Sequence, residues 1–339
     1  MKGHRYKKLH EQTIVITGAT SGIGLATARR AARCGARLVL ASRNEEELRR
    51  ICDEIREQGG QAVYAVADVG REDEVREIAE VAAREFGGFD TWVNNAGVVV
   101  FSELKDMPTD DHKRLFDTNY WGTVYGSHAA VRHFRDRPGG GTLINVASIN
   151  ADMPVPILGA YSASKGAVKA FTEVLRMELL NEKVPVRVSM LKPSGISTPI
   201  SEHGRTHMGE QGKVMPPVYD AEVVANAILT AAQRPVRNMT VGETGRASSL
   251  AWLMAPRLMD RVIGWALPKA QSTGEPPPPT DNLYSAGQDG QVYLEGKRKG
   301  LRVSPYTQAR LHPGLALGAG AGLLAATTYF ALRARRGPG

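Results

Sequence analysis

Residues 13–40 constrain the fold more than any other stretch of this chain. Ile14, Val15 and Ile16 form an unbroken apolar run, Gly18, Gly22 and Gly24 follow in G-x-x-x-G-x-G spacing, and 25–33 is helical in pattern before Gly35. A second apolar run follows at 38–40. Runs that are apolar at every position predict strands covered on both faces, as in a parallel sheet. Strand, glycine loop, helix and strand together make a βαβ unit. In such a unit Gly18 permits a tight turn and Gly22 keeps side chains away from an approaching pyrophosphate. Gly24 lets helix and strand pack closely, and the helix N-terminus offers free N–H groups and a positive dipole end. Glycines alone are a weak signal; the flanking strand, helix and strand make this a dinucleotide loop.

The alternation continues. The patterns predict helices over 45–58, 72–86, 111–134, 162–180 and 220–232, and strands over 62–66, 91–93, 142–146, 186–191 and 239–242. Regular alternation with short connections predicts an α/β doubly wound parallel sheet of the Rossmann type. Four segments are expected: a basic stretch 1–12, a catalytic Rossmann domain 13–243, a helical and Pro-rich extension 244–310, and an apolar tail 311–339. Within the extension, 248–269 reads as a helix pair broken at Pro256. The segment 274–290, with Pro276 to Pro279 in sequence, reads as a linker or wrapping arm.

The end of the second strand bears on which dinucleotide binds. An acidic residue about 20 positions past the glycines would hold the ribose 2′-hydroxyl of NAD. Here the strand ends Ala41-Ser42-Arg43-Asn44, so Arg43 could pair with a 2′-phosphate and Ser42 hydrogen-bond it. NADP(H) is therefore expected over NAD(H). Further on, Tyr161 and Lys165 stand at i and i+4, on one face of a helix, and Ser148 follows the strand 142–146. An ammonium near a phenol favours phenolate and lowers its pKa toward working range. A Ser148 hydroxyl beside the phenol could hold a substrate oxygen.

With these motifs in view the chain resembles the short-chain dehydrogenase/reductase family over about residues 13–243. Thr17 to Gly24, including Thr20, Ser21 and Ile23, is similar to the family's TGxxxGIG loop. Asp68, with Val69 after it, resembles the acidic residue that meets adenine. The segment Asn94-Asn95-Ala96-Gly97 resembles its NNAG stretch, and Asn119 the helix asparagine of a proton relay. Ser148, Tyr161 and Lys165 match the catalytic serine and YxxxK, and Pro193, Ile196 and Thr198 lie in a PGxxxT-like segment beside the nicotinamide. Ser194 stands where the family usually has Gly. The resemblance implies hydride transfer between nicotinamide and a carbonyl or secondary alcohol. Tyr161 would be the general acid or base, with Lys165 lowering its pKa and holding the nicotinamide ribose. Ser148 would polarise the carbonyl and Asn119 position a water. It also implies a homodimer or homotetramer. Two other classes compete: a dinucleotide-binding regulator without catalysis, and an epimerase or dehydratase of related fold. Retention of Ser148, Tyr161 and Lys165 speaks against the first, and the glycine spacing against the second.

The segment 200–219 lies where the family carries a substrate lid, and its His203 and His207 are expected to be lid residues rather than metal ligands; no metal site is expected. Leu250, Trp252, Leu253, Met254 and Trp265 are expected to help wall an apolar pocket, which suggests a hydrophobic substrate. Residues 313–332 carry no charge and are about long enough to cross a bilayer core. Gly314, Gly318 and Gly322 would give that segment a small-residue face. Lys297, Arg298, Lys299 and Arg302 precede it and Arg333, Arg335 and Arg336 follow it. The net charge of +8 is diffuse, and its positive residues at such ends fit an anionic membrane surface at least as well as a nucleic acid. Membrane association through the tail is expected, and no nucleic-acid partner. No apolar signal core precedes Thr13, so the catalytic domain is expected in the cytoplasm. Cys34 and Cys52 are expected to be buried fillers.

Overall fold

The structure is a computed structural model, and it describes residues 6–287, 289–293, 300–312 and 314. Seven parallel strands form the central sheet: β1 (Thr13–Thr17), β2 (Arg37–Ser42), β3 (Gln61–Val66), β4 (Thr91–Asn94), β5 (Gly141–Val146), β6 (Val186–Pro193) and β7 (Asn238–Val241). Their order across the sheet is 3-2-1-4-5-6-7. The order reverses between β1 and β4, and a ligand crevice opens above the carboxyl ends of the strands at such a switch point.

The apolar runs explain the layering. In β1, Ile14 and Ile16 face one core while Val15 faces the other, and in β2 Leu38 and Leu40 oppose Val39 in the same way. The first core is roofed by α1 (Gly22–Arg33), α2 (Glu45–Glu57) and α7 (Ala221–Gln233), through residues such as Leu25, Ile51 and Ile228. The second is roofed by α3 (Glu72–Phe86), α5 (Gly122–Arg135) and α6 (Gly159–Asn181), through Ile78, Phe134 and Leu179. Both faces being covered is why these strands need no polar alternation.

Two expectations are corrected. The single helix foreseen over 111–134 is α4 (Thr109–Phe116), a wide π-type turn Asp117–Trp121, and then α5. Such a widened turn is found where a side chain must be re-aimed, and Asn119 sits in it. Cys34 is exposed: it caps the carboxyl end of α1 instead of lying on its buried face. Cys52 is buried as expected, and burial pushes its thiol up to about 11.

The extension packs on the sheet domain. Helices α8 (Glu243–Met254) and α9 (Pro256–Ala270) meet with Pro256 at the first position of α9, where its missing N–H costs nothing. Segment 271–275 then pairs with the lid region, Lys213 N–H donating to Gln271 O at 2.8 Å and Thr273 N–H to Gln211 O at 3.0 Å. Residues 281–287 and 289–293 lie along the crevice. Leu301 pairs beside Tyr219, and α10 (Pro305–Leu311) closes on α7 and β7 with Leu311 buried. Of the uncharged stretch 313–332, only Gly314 is among the described residues, so the expected membrane segment lies outside them, as do Lys297, Arg298 and Lys299. Among the described residues no helix is long and apolar enough to cross a membrane.

Candidate active site

The crevice at the switch point holds a cavity of about 470 Å³. At one end the glycine loop turns with φ of +63° at Gly18 and +50° at Gly22, conformations that favour glycine. A Cβ at Gly18 would lie 2.8 Å from Ala96 Cα, and one at Gly24 only 1.9 Å from Gly18 O. The loop, Asn95 and α1 are therefore pressed together. Asn95 Nδ2 donates to Thr17 O and Gly18 O at 3.0 and 3.2 Å, and Thr17 Oγ1 accepts from the backbone of Asn95 and Ala96.

Most of the expected cofactor residues line this one cavity. Gly18, Thr20, Ser21, Gly22 and Ile23 do so from the loop, Ser42 and Arg43 from the end of β2, and Asp68 and Val69 from beyond β3. Asn95, Ala96 and Gly97 follow β4, and Pro193, Ile196 and Thr198 follow β6. Three expected residues stand behind the wall instead. Thr17 locks the β4 loop through its hydroxyl, Gly24 is a packing contact, and Asn119 is wholly buried. Asn119 Oδ1 accepts from Val98 N–H at 2.8 Å, and its Nδ2 donates to Val98 O and Ser164 Oγ at 3.0 and 3.1 Å. That side chain is fully engaged, so a relay through Asn119 would have to use its backbone carbonyl, which already accepts from Thr123 Oγ1. Ser194 causes no strain; its hydroxyl donates to Val241 O at 2.8 Å and ties β6 to β7.

At the other end Ser148, Tyr161 and Lys165 come together at the floor of the cavity. Ser148 is two residues past β5 and caps a short turn, its Oγ accepting from Asn150 N–H at 3.1 Å. Tyr161 and Lys165 lie on α6, one turn apart. Lys165 Nζ is 5.8 Å from the phenol ring centre and donates to Val146 O at 3.1 Å. Burial brings the Lys165 ammonium down to about 8. The expected depression of the phenol does not hold for the chain by itself: burial pushes Tyr161 up, and its hydrogen bond with Ser148 only partly opposes this. Desolvation dominates because the group lies at the bottom of a largely apolar recess. A buried phenol kept protonated is a proton donor in waiting.

The lid segment and the extension complete the walls. Ile200, His203, Val214 and Met215 line one side. Helices α8 and α9 contribute Thr244, Gly245, Ser248, Leu267 and Gln271. The apolar side chains expected there point away: Leu253, Met254 and Trp265 are 77%, 83% and 80% exposed, Leu250 is exposed too, and Trp252 is not in the wall. The helices do border the pocket, but through the opposite stripe. His207 Nε2 lies 2.8 Å from Asp111, which also binds Arg205, so that pair clasps the lid to α4.

Sequence reasoning singled out Ser42, Arg43 and Asp68 at this end of the crevice but missed the C-terminal residues that meet them. Asp68 is bound by Arg114, and Arg114 Nε also donates to Leu283 O at 3.0 Å. Arg43, whose guanidinium is lowered by burial, donates to Asn282 O at 2.5 Å and Leu283 O at 3.4 Å. Asp289 Oδ2 accepts from Thr20 Oγ1 at 2.8 Å. Burial lifts the Asp289 carboxyl above its ordinary range. Nothing local in this segment marks it as part of a site; the contacts that anchor it reach far along the chain, 76 positions from Asp281 to Arg205 and 269 from Asp289 to Thr20.

Comparison with known proteins settles the family. The short chain dehydrogenase family matches residues 12–209. An uncharacterized oxidoreductase of Bacillus subtilis (strain 168), YxnA, is 43% identical over 326 residues, covering 95% of this chain and 91% of its own. The chain belongs to the short-chain dehydrogenase family. It is an oxidoreductase of that family, acting on CH–OH or C=O groups with NAD(P). Among solved short-chain dehydrogenases, one from Burkholderia phymatum in complex with NAD shares 27% identity with a TM-score of 0.67, covering 73% of this chain and 95% of that one. An alcohol dehydrogenase from the archaeon Thermococcus sibiricus, complexed with 5-hydroxy-NADP, shares 26% identity with a TM-score of 0.59, covering 68% and 95%. The Bacillus oxidoreductase is thus matched over 95% of this chain, whereas the two solved neighbours cover 73% and 68% of it.

Proposed function

We propose that this chain is an NADP(H)-preferring dehydrogenase that interconverts a hydrophobic carbonyl compound and its secondary alcohol, with Tyr161 as the proton-transferring group. The observation that carries this is the meeting of Ser148, Tyr161 and Lys165 at the floor of the cavity whose far end is the glycine loop. The cradle fits a dinucleotide: side chains are excluded at Gly18 and Gly22, and the α1 N-terminus faces the same space. Gly18, Thr20, Ser21, Gly22 and Ile23 would hold the pyrophosphate side, Ser42, Arg43, Asp68 and Val69 the adenosine, and Asn95, Ala96, Gly97, Pro193, Ile196, Thr198 and Lys165 the nicotinamide side. When bound, the nicotinamide supplies or accepts the hydride.

The chain's own residues do the rest. Ser148 donates to the substrate oxygen and fixes it beside the phenol. In reduction Tyr161 gives its proton to that oxygen, and the Lys165 ammonium offsets the phenolate that remains. In oxidation the same pair runs in reverse. Asn119 acts as a positioning residue that holds the Gly97–Val98 backbone, and its carbonyl could seat the water that carries the proton out. Val99, Phe101, Val155, Leu158 and Ile200 on the walls support an apolar substrate. Ser42 and Arg43, with no carboxylate on β2, support NADP(H).

The reading also includes self-association, supported by Val174, Met177 and Leu180 exposed along α6. It includes membrane attachment of a cytoplasmic catalytic domain, supported by the uncharged stretch 313–332 and its basic flanks. The four-segment organisation 1–12, 13–243, 244–310 and 311–339 is part of the same proposal. The test is a panel of ketones and secondary alcohols with NADPH, NADH and their oxidised forms, run beside Tyr161→Phe. Turnover should fall by about 10²–10⁴ in the variant while the dinucleotide still binds. A Tyr161→Phe enzyme with wild-type turnover overturns the mechanism.

A further inference from the structure

The arm 281–293 is anchored where the adenosine end of the crevice opens. Leu283 is fully buried beside Val98, Val100 and Leu115, and Arg43 and Arg114 hold its carbonyl. Asp281 pairs with Arg205 at 2.9 Å, and Tyr284 Oη donates to Asp111 at 2.9 Å. Farther on, Gly290 N–H donates to Thr20 O at 2.9 Å and Gly22 N–H to Gln291 O at 3.0 Å. Between these anchors the chain delivers Asp289. Its carboxylate accepts from Thr20 Oγ1, and Thr20 Oγ1 is itself 2.8 Å from Ser42 Oγ. The cavity persists beneath the arm, with Asn282, Gly287 and Asp289 as part of its wall. The arm therefore lines the space, and at the glycine loop it takes the Gly22 amide.

That corner is where β2 ends without an acidic residue. The fold restores one from a position far along the chain. We infer that Asp289 is a specificity-determining residue of the dinucleotide site, supplied by the C-terminal arm, which favours a ribose 2′-hydroxyl over a 2′-phosphate and so opposes Ser42 and Arg43. The physical basis is twofold. A carboxylate accepts a hydroxyl's hydrogen bond, and it repels a phosphate in a recess of low dielectric. The inference rests on the proposed reading that this crevice holds the dinucleotide. It adds that discrimination between NADP(H) and NAD(H) is narrower than β2 alone would set.

The experiment is calorimetric titration of the full chain with NADP⁺, NAD⁺, adenosine 2′,5′-bisphosphate and 5′-AMP. Wild type is compared with Asp289→Asn and Asp289→Ala, and melting temperatures confirm that each is folded. Asn has nearly the shape of Asp, so it reads charge alone and carries the test if Ala melts early. The affinity ratio should move toward NADP⁺ by about ten- to a hundredfold, with the bisphosphate tightening and 5′-AMP not. An unchanged ratio overturns the inference. So does equal tightening of both dinucleotides, which would mean the arm is merely a plug. A wild-type chain that prefers NAD⁺ defeats the proposed NADP(H) preference alone, and the shift in the variants still decides Asp289. If neither dinucleotide binds to any form, both readings fall.

Discussion

The two ends of the crevice are built in different ways. The end proposed to be catalytic takes its groups from three nearby pieces of one sheet domain: the loop after β5, one turn of α6 and the segment after β4. The other end, proposed to take the adenosine, is finished by a segment that joins it from far along the chain, 269 positions from Thr20 to Asp289. The first end is held by regular secondary structure, the second by side-chain clasps and isolated backbone bonds on an irregular arm. Catalytic placement should therefore be rigid and local, and cofactor selection should respond to changes in the extension.

The largest effect that would sharpen this contrast is at the catalytic end. Lys165→Met removes the cation that offsets the phenolate, and kcat/KM should fall by about 10²–10³, equivalent to roughly 3–4 kcal/mol of lost barrier lowering. The contacts of 281–293 should be untouched, as judged by protection of the Leu283 and Gly290 amides from hydrogen exchange. Loss of that protection in Lys165→Met would show the two ends to be one cooperative unit, and the contrast would fail.

The next effect is at the other end. Leu283 is the apolar anchor of the arm, and replacing a fully buried Leu by Ala costs about 2–5 kcal/mol. In Leu283→Ala the amides of 281–293 should exchange at least about thirtyfold faster, the factor that matches 2 kcal/mol, while those of β1 and β4 keep their protection. Equal loosening of the sheet strands would mean the arm is part of the global core instead of a separate closure.

The same division decides how much was legible in the sequence. The doubly wound parallel sheet, the loop at Gly18–Gly24 and the Tyr161–Lys165 face could be read because each follows from a pattern along the chain: strand–helix alternation, a turn only glycine fits, or a helical period. The broken helix could not be read, because the wide turn at Asp117–Trp121 is set by Asn119 reaching across to Val98 and Ser164. The outward direction of Leu253, Met254 and Trp265 was equally hidden: amphipathic helices reveal an apolar stripe but not which neighbour, if any, covers it. Asp289, Arg114 and Leu283 carried no signal at all, since an acid and a leucine in irregular chain and an arginine on a short helix are brought together only by long-range contacts. Lys165 shows the limit of motif reading from the other side. Its position was plain, but its burial and the upward push on Tyr161 depend on how deeply the pair is sunk.

That burial gives the smallest and most specific prediction. In the folded chain the Lys165 ammonium is lowered to about 8 by desolvation, while in the unfolded chain it returns to about 10.4. Below pH 8 both states hold the proton, and this group adds no slope to stability. Between pH 8 and 10.4 the unfolded state holds a proton the native state has released. Unfolding free energy should therefore rise with pH in that window, by up to about 1.4 kcal/mol per unit. Other titrating groups contribute to the total, so the quantity to measure is the difference between wild type and Lys165→Met in denaturant melts at pH 7.5, 8.5 and 9.5. Wild type should gain on the variant as pH increases, in the form without bound dinucleotide. Parallel curves would mean that Lys165 finds water or a counter-charge in the native crevice. The catalytic end would then be as open as the end that the arm has to close.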